Sequence, residues 1–347
     1  IKSWLKAGFV NGFLDLDTYN QIEKNSRGTP QGGVISPLLS NIALHGAENM
    51  LKQWAMTARD PKGGKGADAF LVKTKFNNKI DRANSLGFIR YADDFVLIHK
   101  EKRVLIAARE KLSEFFAKTS KLTFNEDKTT LKPVSQGFDF LGFSFTNVAR
   151  NGKTRIKIVP SRKSIKNHLA SLRNVIQKNK ASSAYVLITK LRPIILGWAY
   201  YHRFNECNLT FRKIYNLLFQ KLRAWVFRRD RRNGRIKVKE KYFPTGKFYK
   251  YYPPVGANLS KSTQRQVRIH YDNWILVGTT KNTKGKLIQN NIIPHSWVLS
   301  EKYVKVKGKA SPFDGNLKYW NKRNIQFGGF TPSQSLLLSY QEYMCPL

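Results

Sequence analysis

Several stretches of this sequence hold chemically capable residues at suggestive spacing. Two β-rich runs, Phe88–Tyr91 and Phe95–Ile98, flank Ala92-Asp93-Asp94. That pattern predicts a hairpin with two carboxylates at its turn. Adjacent carboxylates are hard oxygen donors and suit Mg²⁺, which takes one or two of them plus phosphate oxygens and water. A plain aspartate turn has the same local pattern, since Asp is common in turns, so the hairpin alone leaves both readings open. Upstream, Gly28-Thr29-Pro30-Gln31-Gly32-Gly33 forms a tight loop whose glycines let backbone approach a ligand closely. Downstream, aromatics alternate with cations, as in Trp198–Phe204 and Trp225–Arg232. Arg and Lys neutralise phosphates while aromatic faces stack on unpaired bases, although a basic face over a packed aromatic core gives the same pattern.

The elements that must hold these groups follow from periodicity. Ser36 is a suitable N-cap and Pro37 a suitable first helical residue. Leu39, Ile42, Ala43, Ala47, Met50 and Trp54 then continue at helical spacing, with Glu48 and Lys52 paired at i,i+4. Residues 104–118 form an amphipathic helix through Leu105, Ala108, Leu112 and Phe115. Phe138–Phe145 reads as a strand or hairpin bending at Gly142. Residues 62–67 lack the spacing of a phosphate-binding loop and read as flexible.

Composition narrows the function. The chain has 62 Lys+Arg against 22 Asp+Glu, a net charge of +40 in 347 residues. Residues 1–150 carry 23 basic and 15 acidic side chains, and residues 151–347 carry 39 and 7. The first part has the balance of an ordinary globular domain, whereas the rest has that of a nucleic-acid binder. With 41% hydrophobic residues the chain can bury a core, which excludes a disordered basic tail. The cysteines, Cys207 and Cys345, are too far apart in sequence for a CxxC-type zinc site or a disulfide framework. No apolar run approaches membrane-spanning length. His45 and His202 lie in apolar helical stretches and read as packing residues. His99, His168, His270 and His295 have no Cys or second His at ligand spacing.

Taken in order, these pieces resemble the reverse transcriptase–maturase proteins encoded by group II introns. The resemblance rests on the Gly28–Asn41 segment, with its Pro30-Gln31-Gly32-Gly33 core, and on Tyr91-Ala92-Asp93-Asp94. Asn125–Thr129, Phe140-Leu141-Gly142-Phe143 and Leu191–Arg203 extend it. Lys302–Asn316 and Tyr319-Trp320 look like the stretch before the family's C-terminal endonuclease.

The resemblance implies an α+β fold. Residues 1–150 would form a partial reverse-transcriptase palm, an antiparallel sheet with helices. Residues 151–242 would form a helical, basic thumb or maturase X region, and residues 243–347 a basic DNA/RNA-binding segment with a truncated endonuclease-like start. It makes Asp93 and Asp94 catalytic carboxylates and ligands of Mg²⁺, in a two-metal site if the polymerase is complete. Gln31, Gly32, Asn125 and Lys128 would line the nucleotide site, and Phe140, Leu141, Gly142 and Phe143 would grip the primer end. Helix Ser164–Lys178 would turn Ile165, Leu169, Leu172 and Ile176 inward and Lys166, Arg173 and Lys178 toward RNA, joined by Arg203, Arg228, Arg229, Arg231 and Arg232.

Such polymerases also need a metal-binding aspartate upstream of the glycine loop. The chain starts too late to hold it, and Asp15 and Asp17 are poorly placed substitutes. The expectation is therefore RNA binding that assists splicing, with DNA synthesis only if a separate N-terminal polypeptide supplies the missing part. The rival is a catalytically inactive relic serving as a structural RNA-binding protein of an organellar ribonucleoprotein such as a ribosome. No endonuclease is expected, because metal ligands near Cys345 are lacking. The implied partners are structured RNA, with DNA as a second candidate and no membrane. The implied location is a mitochondrion or chloroplast, otherwise a bacterial cytoplasm.

Overall fold

In a computed structural model of the chain the described residues are 9–10, 22–23, 36–59, 66–73, 78–127, 129–150, 152–251, 268–300, 305–308, 310–311, 314–327, 336–337 and 340–341. They combine helices with small antiparallel sheets of two or three strands, an α+β arrangement. The chain divides into two compact units, Ile1–Leu131 and Lys132–Leu347.

The first unit contains a short pair, β1 (Phe9–Val10) and β2 (Ile22–Glu23), then helices α1 (Ser36–Ala43), α2 (Ala47–Thr57), α3 (Ala67–Lys73) and α4 (Lys79–Ser85). The hairpin β3 (Gly87–Tyr91) and β4 (Asp94–Ile98) follows, and then the long helix α5 (Lys102–Thr119). The periodicity after Ser36 predicts one helix, but the structure breaks it. Gly46 sits at φ 84 between α1 and α2, a left-handed conformation that costs glycine little and stops a helix. The break separates two environments: α2 buries Ala47, Leu51 and Ala55, whereas α1 buries none of its residues. Glu48 and Lys52 pair as the spacing predicts. Helix α5 buries Val104, Ala108, Leu112 and Phe116, so Phe116 takes the inward place expected of Phe115, which packs at the core's edge.

The second unit begins with a three-stranded sheet, β5 (Phe138–Phe140), β6 (Phe143–Arg150) and β7 (Lys153–Pro160). Four helices follow: α6 (Arg162–Lys178), α7 (Ala184–His202), α8 (Asn208–Arg229) and α9 (Arg235–Tyr242). Ser161 and Ser183 cap α6 and α7 through their side chains, as serine does well. Strand pairs β8 (Phe248–Tyr251) with β9 (Arg268–Tyr271) and β10 (Val277–Lys281) with β11 (Leu287–Asn291) come next, then α10 (Leu317–Phe327). One apolar core joins α6–α9 to the later strands: Leu172, Leu191, Phe211, Leu218 and Trp225 pack with Phe243, Tyr251, Leu276, Ile293 and Trp297. Gly278 shows how tight the join is. A Cβ there would lie 2.2 Å from the Tyr185 backbone nitrogen, so only glycine lets β10 approach the start of α7 this closely.

Candidate nucleic-acid interface and carboxylate hairpin

The β3–β4 register pairs Tyr91 with Asp94, leaving Ala92 and Asp93 as a two-residue turn. Strand alternation then sorts the side chains. Phe88, Phe95 and Leu97 pack on the core of the first unit, with Phe95 5.7 Å from both the Phe88 and Phe124 rings. Ile89, Tyr91, Asp94 and Ile98 point the other way and are exposed, Tyr91 by 66%. Asp93 at the turn is exposed as well. Ala92 has φ 52 while Asp93 does not, a pattern that normally takes glycine at the first turn position. Arg90 holds this turn from the inner face: its Nη1 donates to the Ala92 carbonyl at 3.0 Å and to Asn41 Oδ1 of α1 at 3.1 Å. The carboxylate tip is thereby tied to the helix that follows the glycine loop.

Two adjacent exposed carboxylates fit one Mg²⁺ that takes its other ligands from phosphate and water. Among the described residues no group of three metal-capable side chains occurs, so these two alone do not make a two-metal site. Gln31, Gly32 and Lys128 lie outside the described residues, as do Asp15, Asp17 and Cys345. Asn125 is exposed, and its carbonyl accepts from the Thr129 backbone at 3.0 Å and hydroxyl at 2.8 Å, closing the turn that presents it.

In the second unit Phe140 and Phe143 pair across a two-residue turn whose central residues, Leu141 and Gly142, both have positive φ, 50 and 79. This is a type I′ pattern, suited to strand twist. The turn is held from two helices. Ser161 N donates to the Gly142 carbonyl at 2.8 Å, and the Tyr201 hydroxyl donates to the Leu141 carbonyl at 2.8 Å. Phe143 stacks on Tyr201 at 5.1 Å and meets the His202 ring edge-on at 4.8 Å.

Behind that turn lies a buried group that sequence reasoning passed over. His168 and His295, 127 residues apart, bring their Nε2 atoms to 2.8 Å. Trp198 stacks on His168 at 4.6 Å and donates to Ser164 Oγ, which in turn sits 3.1 Å from His202 Nε2. Burial pushes His168 and His202 down to about 4 and His295 to about 3, because desolvation disfavours the charged imidazole. The three rings are therefore neutral at ordinary pH, and one of the facing Nε2 atoms donates to the other. Spacing could not have shown this contact. The one local signal was that His168 falls on the inward stripe of α6.

That stripe consists of His168, Leu172 and Ile176, with Ile165 and Leu169 half-buried. Lys166, Arg173 and Lys178 are exposed on the same helix, as its periodicity predicts. Arg203 stacks over Tyr200 and Phe204 at 5.4 and 4.8 Å. Arg228, Arg231 and Arg232 are exposed at the end of α8 and just after it. Arg229 also fastens the fold, donating to the Lys180 and Ser182 carbonyls and lying over Trp225.

Two known families match parts of the chain. Residues 1–145 match the family described as reverse transcriptase (RNA-dependent DNA polymerase), and residues 165–243 match the group II intron, maturase-specific domain. Protein YkfC of Escherichia coli is 33% identical over 176 residues, 47% of this chain and 44% of that protein. The group II intron-encoded protein LtrA of Lactococcus lactis is 25% identical over 229 residues, 52% of this chain and 37% of that protein. Maturase-like protein 1 of Euglena longa is 30% identical over 119 residues, 34% of this chain and 25% of that protein. The chain thus spans less than half the length of these relatives. No helix among the described residues is long and apolar enough to cross a membrane.

Proposed function

Because the chain belongs to the reverse transcriptase/maturase family of group II introns, we propose that it binds a large structured RNA and holds it in a splicing-competent form. In this reading residues 1–150 act as a partial palm, residues 151–242 as the thumb or maturase X region, and residues 243–347 as a basic segment that also reaches DNA. The observation that carries the proposal is the arrangement of α6. Its inner stripe joins the core through His168, Leu172 and Ile176, while Lys166, Arg173 and Lys178 stand in solvent. Packing uses one face, and the cations remain available for phosphates.

Residues of this chain would divide the polymerase work as follows. Asp93 and Asp94 would hold Mg²⁺, which when bound supplies charge neutralisation for phosphoryl transfer. Arg90 fixes the turn that presents them, and the Asn125 turn would lie beside the nucleotide, with Gln31, Gly32 and Lys128. The Phe140–Phe143 turn, anchored by Tyr201, would steady a primer end. A third carboxylate is still needed, from residues outside those described or from a separate polypeptide. A second reading, RNA binding without polymerisation, is favoured by the two-carboxylate donor set among the described residues. The function would be exercised where group II introns are spliced, in a mitochondrion, a chloroplast or a bacterial cytoplasm.

Two assays on the full chain separate these readings. Splicing of a group II intron RNA at low Mg²⁺ should speed up when the protein is added, and no acceleration with any such intron would sink the maturase role. Mg²⁺-dependent primer extension, with and without a polypeptide supplying the upstream palm, should be lost in Asp93→Ala. Absence of extension under every reconstitution would leave RNA binding as the whole function.

A further inference from the structure

Helix α8 carries a second stripe beside the one it buries. Arg212, Tyr215, Asn216, Phe219 and Arg223 recur at i, i+3, i+4, i+7 and i+11, and together with Asp272, Trp274 and Ser296 they line a cleft of about 470 Å³. That volume falls within the range of small-ligand sites. Its apolar wall is aromatic: Phe219 and Trp274 meet edge-to-face at 5.7 Å, and Phe243 backs Trp274 at 5.9 Å. The Lys239 ammonium lies over the Trp274 ring at 5.3 Å, yet Trp274 remains 42% exposed, so part of this large ring is still left for something else to cover.

The polar groups have a definite layout. Arg212 and Arg223 stand at the two ends of the stripe, about 16 Å apart along the helix at 1.5 Å per residue. Neither forms an ion pair among the described residues, and Asn216 makes no side-chain hydrogen bond among them. Asp272 Oδ1 accepts from the Trp274 backbone at 2.7 Å, which leaves its other oxygen as an acceptor. Its charge helps push the Tyr215 phenol, already raised by burial, further up. The cleft thus presents aromatic faces in the middle, an anionic acceptor with an amide, and a guanidinium at each end.

We propose that this cleft holds an unpaired nucleotide of a single-stranded RNA segment, its base against Trp274 and Phe219 and successive phosphates on Arg212 and Arg223. Aromatic faces take any base by stacking. The separation of the arginines matches a strand running along α8 better than one small anion. Asp272 repels phosphate and accepts from base N–H groups, so it orients the base end inward. A duplex cannot enter, because its bases are stacked and paired. The assignment rests on the RNA-binding reading above and narrows it to strand type and place.

The test uses the full chain and a twelve-nucleotide single-stranded oligoribonucleotide carrying one 4-thiouridine, alongside the same strand in a duplex. Photocrosslinks from the single strand should map to Tyr215, Phe219 or Trp274, and those from the duplex should not. Trp274→Ala and Arg212→Gln should each weaken single-strand binding by about ten-fold, in line with the stacking contribution of one base, while leaving duplex binding unchanged. Trp274→Phe, which keeps a stacking face, should restore most of it and so exclude misfolding. Single-strand affinity unchanged in both Trp274→Ala and Arg212→Gln overturns the cleft while leaving RNA binding elsewhere intact. No binding of any RNA overturns both readings. Displacement of the strand by micromolar mononucleotide overturns the strand assignment in favour of a free nucleotide.

Discussion

The two units differ in how they spend their residues. The first, Ile1–Leu131, holds 21 basic and 14 acidic side chains, and the second, Lys132–Leu347, holds 41 and 8. Among the described residues the core of the first mixes alanines, Ala47, Ala55, Ala58, Ala83 and Ala108, with Leu44, Leu51, Leu71, Leu86, Val104, Leu112 and Phe116. The core of the second is built from Leu, Ile, Phe, Tyr and Trp. Small core residues bring helices and a hairpin close together but bury less apolar area per residue. Both units leave apolar side chains in water, Ile89 beside the carboxylates and Ile42 on α1 in the first, and Leu209 and Ile236 in the second. The difference suits a separation of the two proposed roles: the carboxylate hairpin sits on the unit with the smaller positive excess, and the arginines proposed to meet phosphates sit on the strongly basic unit. A large core is what lets a chain carry such charge, because its self-repulsion must be offset by burial.

The strongest way to break that comparison is a double dissociation. Where extension is reconstituted with a polypeptide supplying the upstream palm, Asp93→Asn with Asp94→Asn should reduce it by at least about 100-fold, the scale seen when charge stabilisation at a reacting centre is lost. Both side chains are exposed, so melting temperature and RNA affinity should stay within error. Arg228→Gln, Arg231→Gln and Arg232→Gln together should do the reverse. The slope of log affinity against log salt should fall by about 2, near 0.7 per single-strand phosphate contact. Arg229 is left in place because its guanidinium also ties α8 to the Lys180 and Ser182 carbonyls. If the aspartate variant loses RNA binding, or the arginine variant keeps the wild-type slope, the division fails.

A smaller effect should appear with pH, chiefly in the second unit, since burial also lowers His99 in the first but less far than the three buried rings of the second. His168, His202 and His295 titrate far below the ordinary imidazole value because they are buried. The unfolded chain therefore binds protons that the folded chain does not. Their contribution to stability is complete above about pH 6.5 and falls progressively as pH drops toward 4. Between pH 6.5 and 5 most carboxylates keep their charge, so urea midpoints in that window isolate the histidines. The midpoint should fall with pH, and His295→Gln should flatten the slope while starting from lower stability. A wild-type midpoint that is flat across this window would show that the rings are not held neutral.

These contrasts were unequally legible in the sequence. The hairpin was readable because two β-rich runs met at a turn in adjacent acids, a pattern that is local and uses period two. The stripes of α6 were readable for the same local reason, down to the exposure of Lys166, Arg173 and Lys178. The break at Gly46 was not, because Ala43 and Ala47 keep helical phase across it and the spacing could not reveal a left-handed glycine. The histidine pair was hidden because its members lie 127 positions apart, and no periodicity links α6 to the turn after β11. The α8 cleft was half visible. Arg212, Tyr215, Asn216, Phe219 and Arg223 have helical spacing, but Asp272 and Trp274 complete the cleft only once β9 returns to α8. Tertiary contact decided the histidine pair and the cleft, and a local backbone conformation decided the break at Gly46.

The finest contrast lies between the two tight hairpin turns. The Phe140–Phe143 turn carries its second positive φ on Gly142, whereas the carboxylate hairpin places φ 52 on Ala92. An alanine there is strained, because its Cβ crowds the backbone, and Arg90 offsets the strain by donating to the Ala92 carbonyl. Ala92→Gly should therefore stabilise the first unit, by no more than about 1 kcal/mol, since relief of the strain is countered by the entropy glycine loses on folding. The same change loosens the tip that aims Asp93 and Asp94, so extension should slow several-fold while RNA affinity stays put. A gain in stability with full activity would mean that the strain is incidental. A loss of stability would mean that Arg90 and the β3–β4 register, rather than the residue at 92, already set the turn.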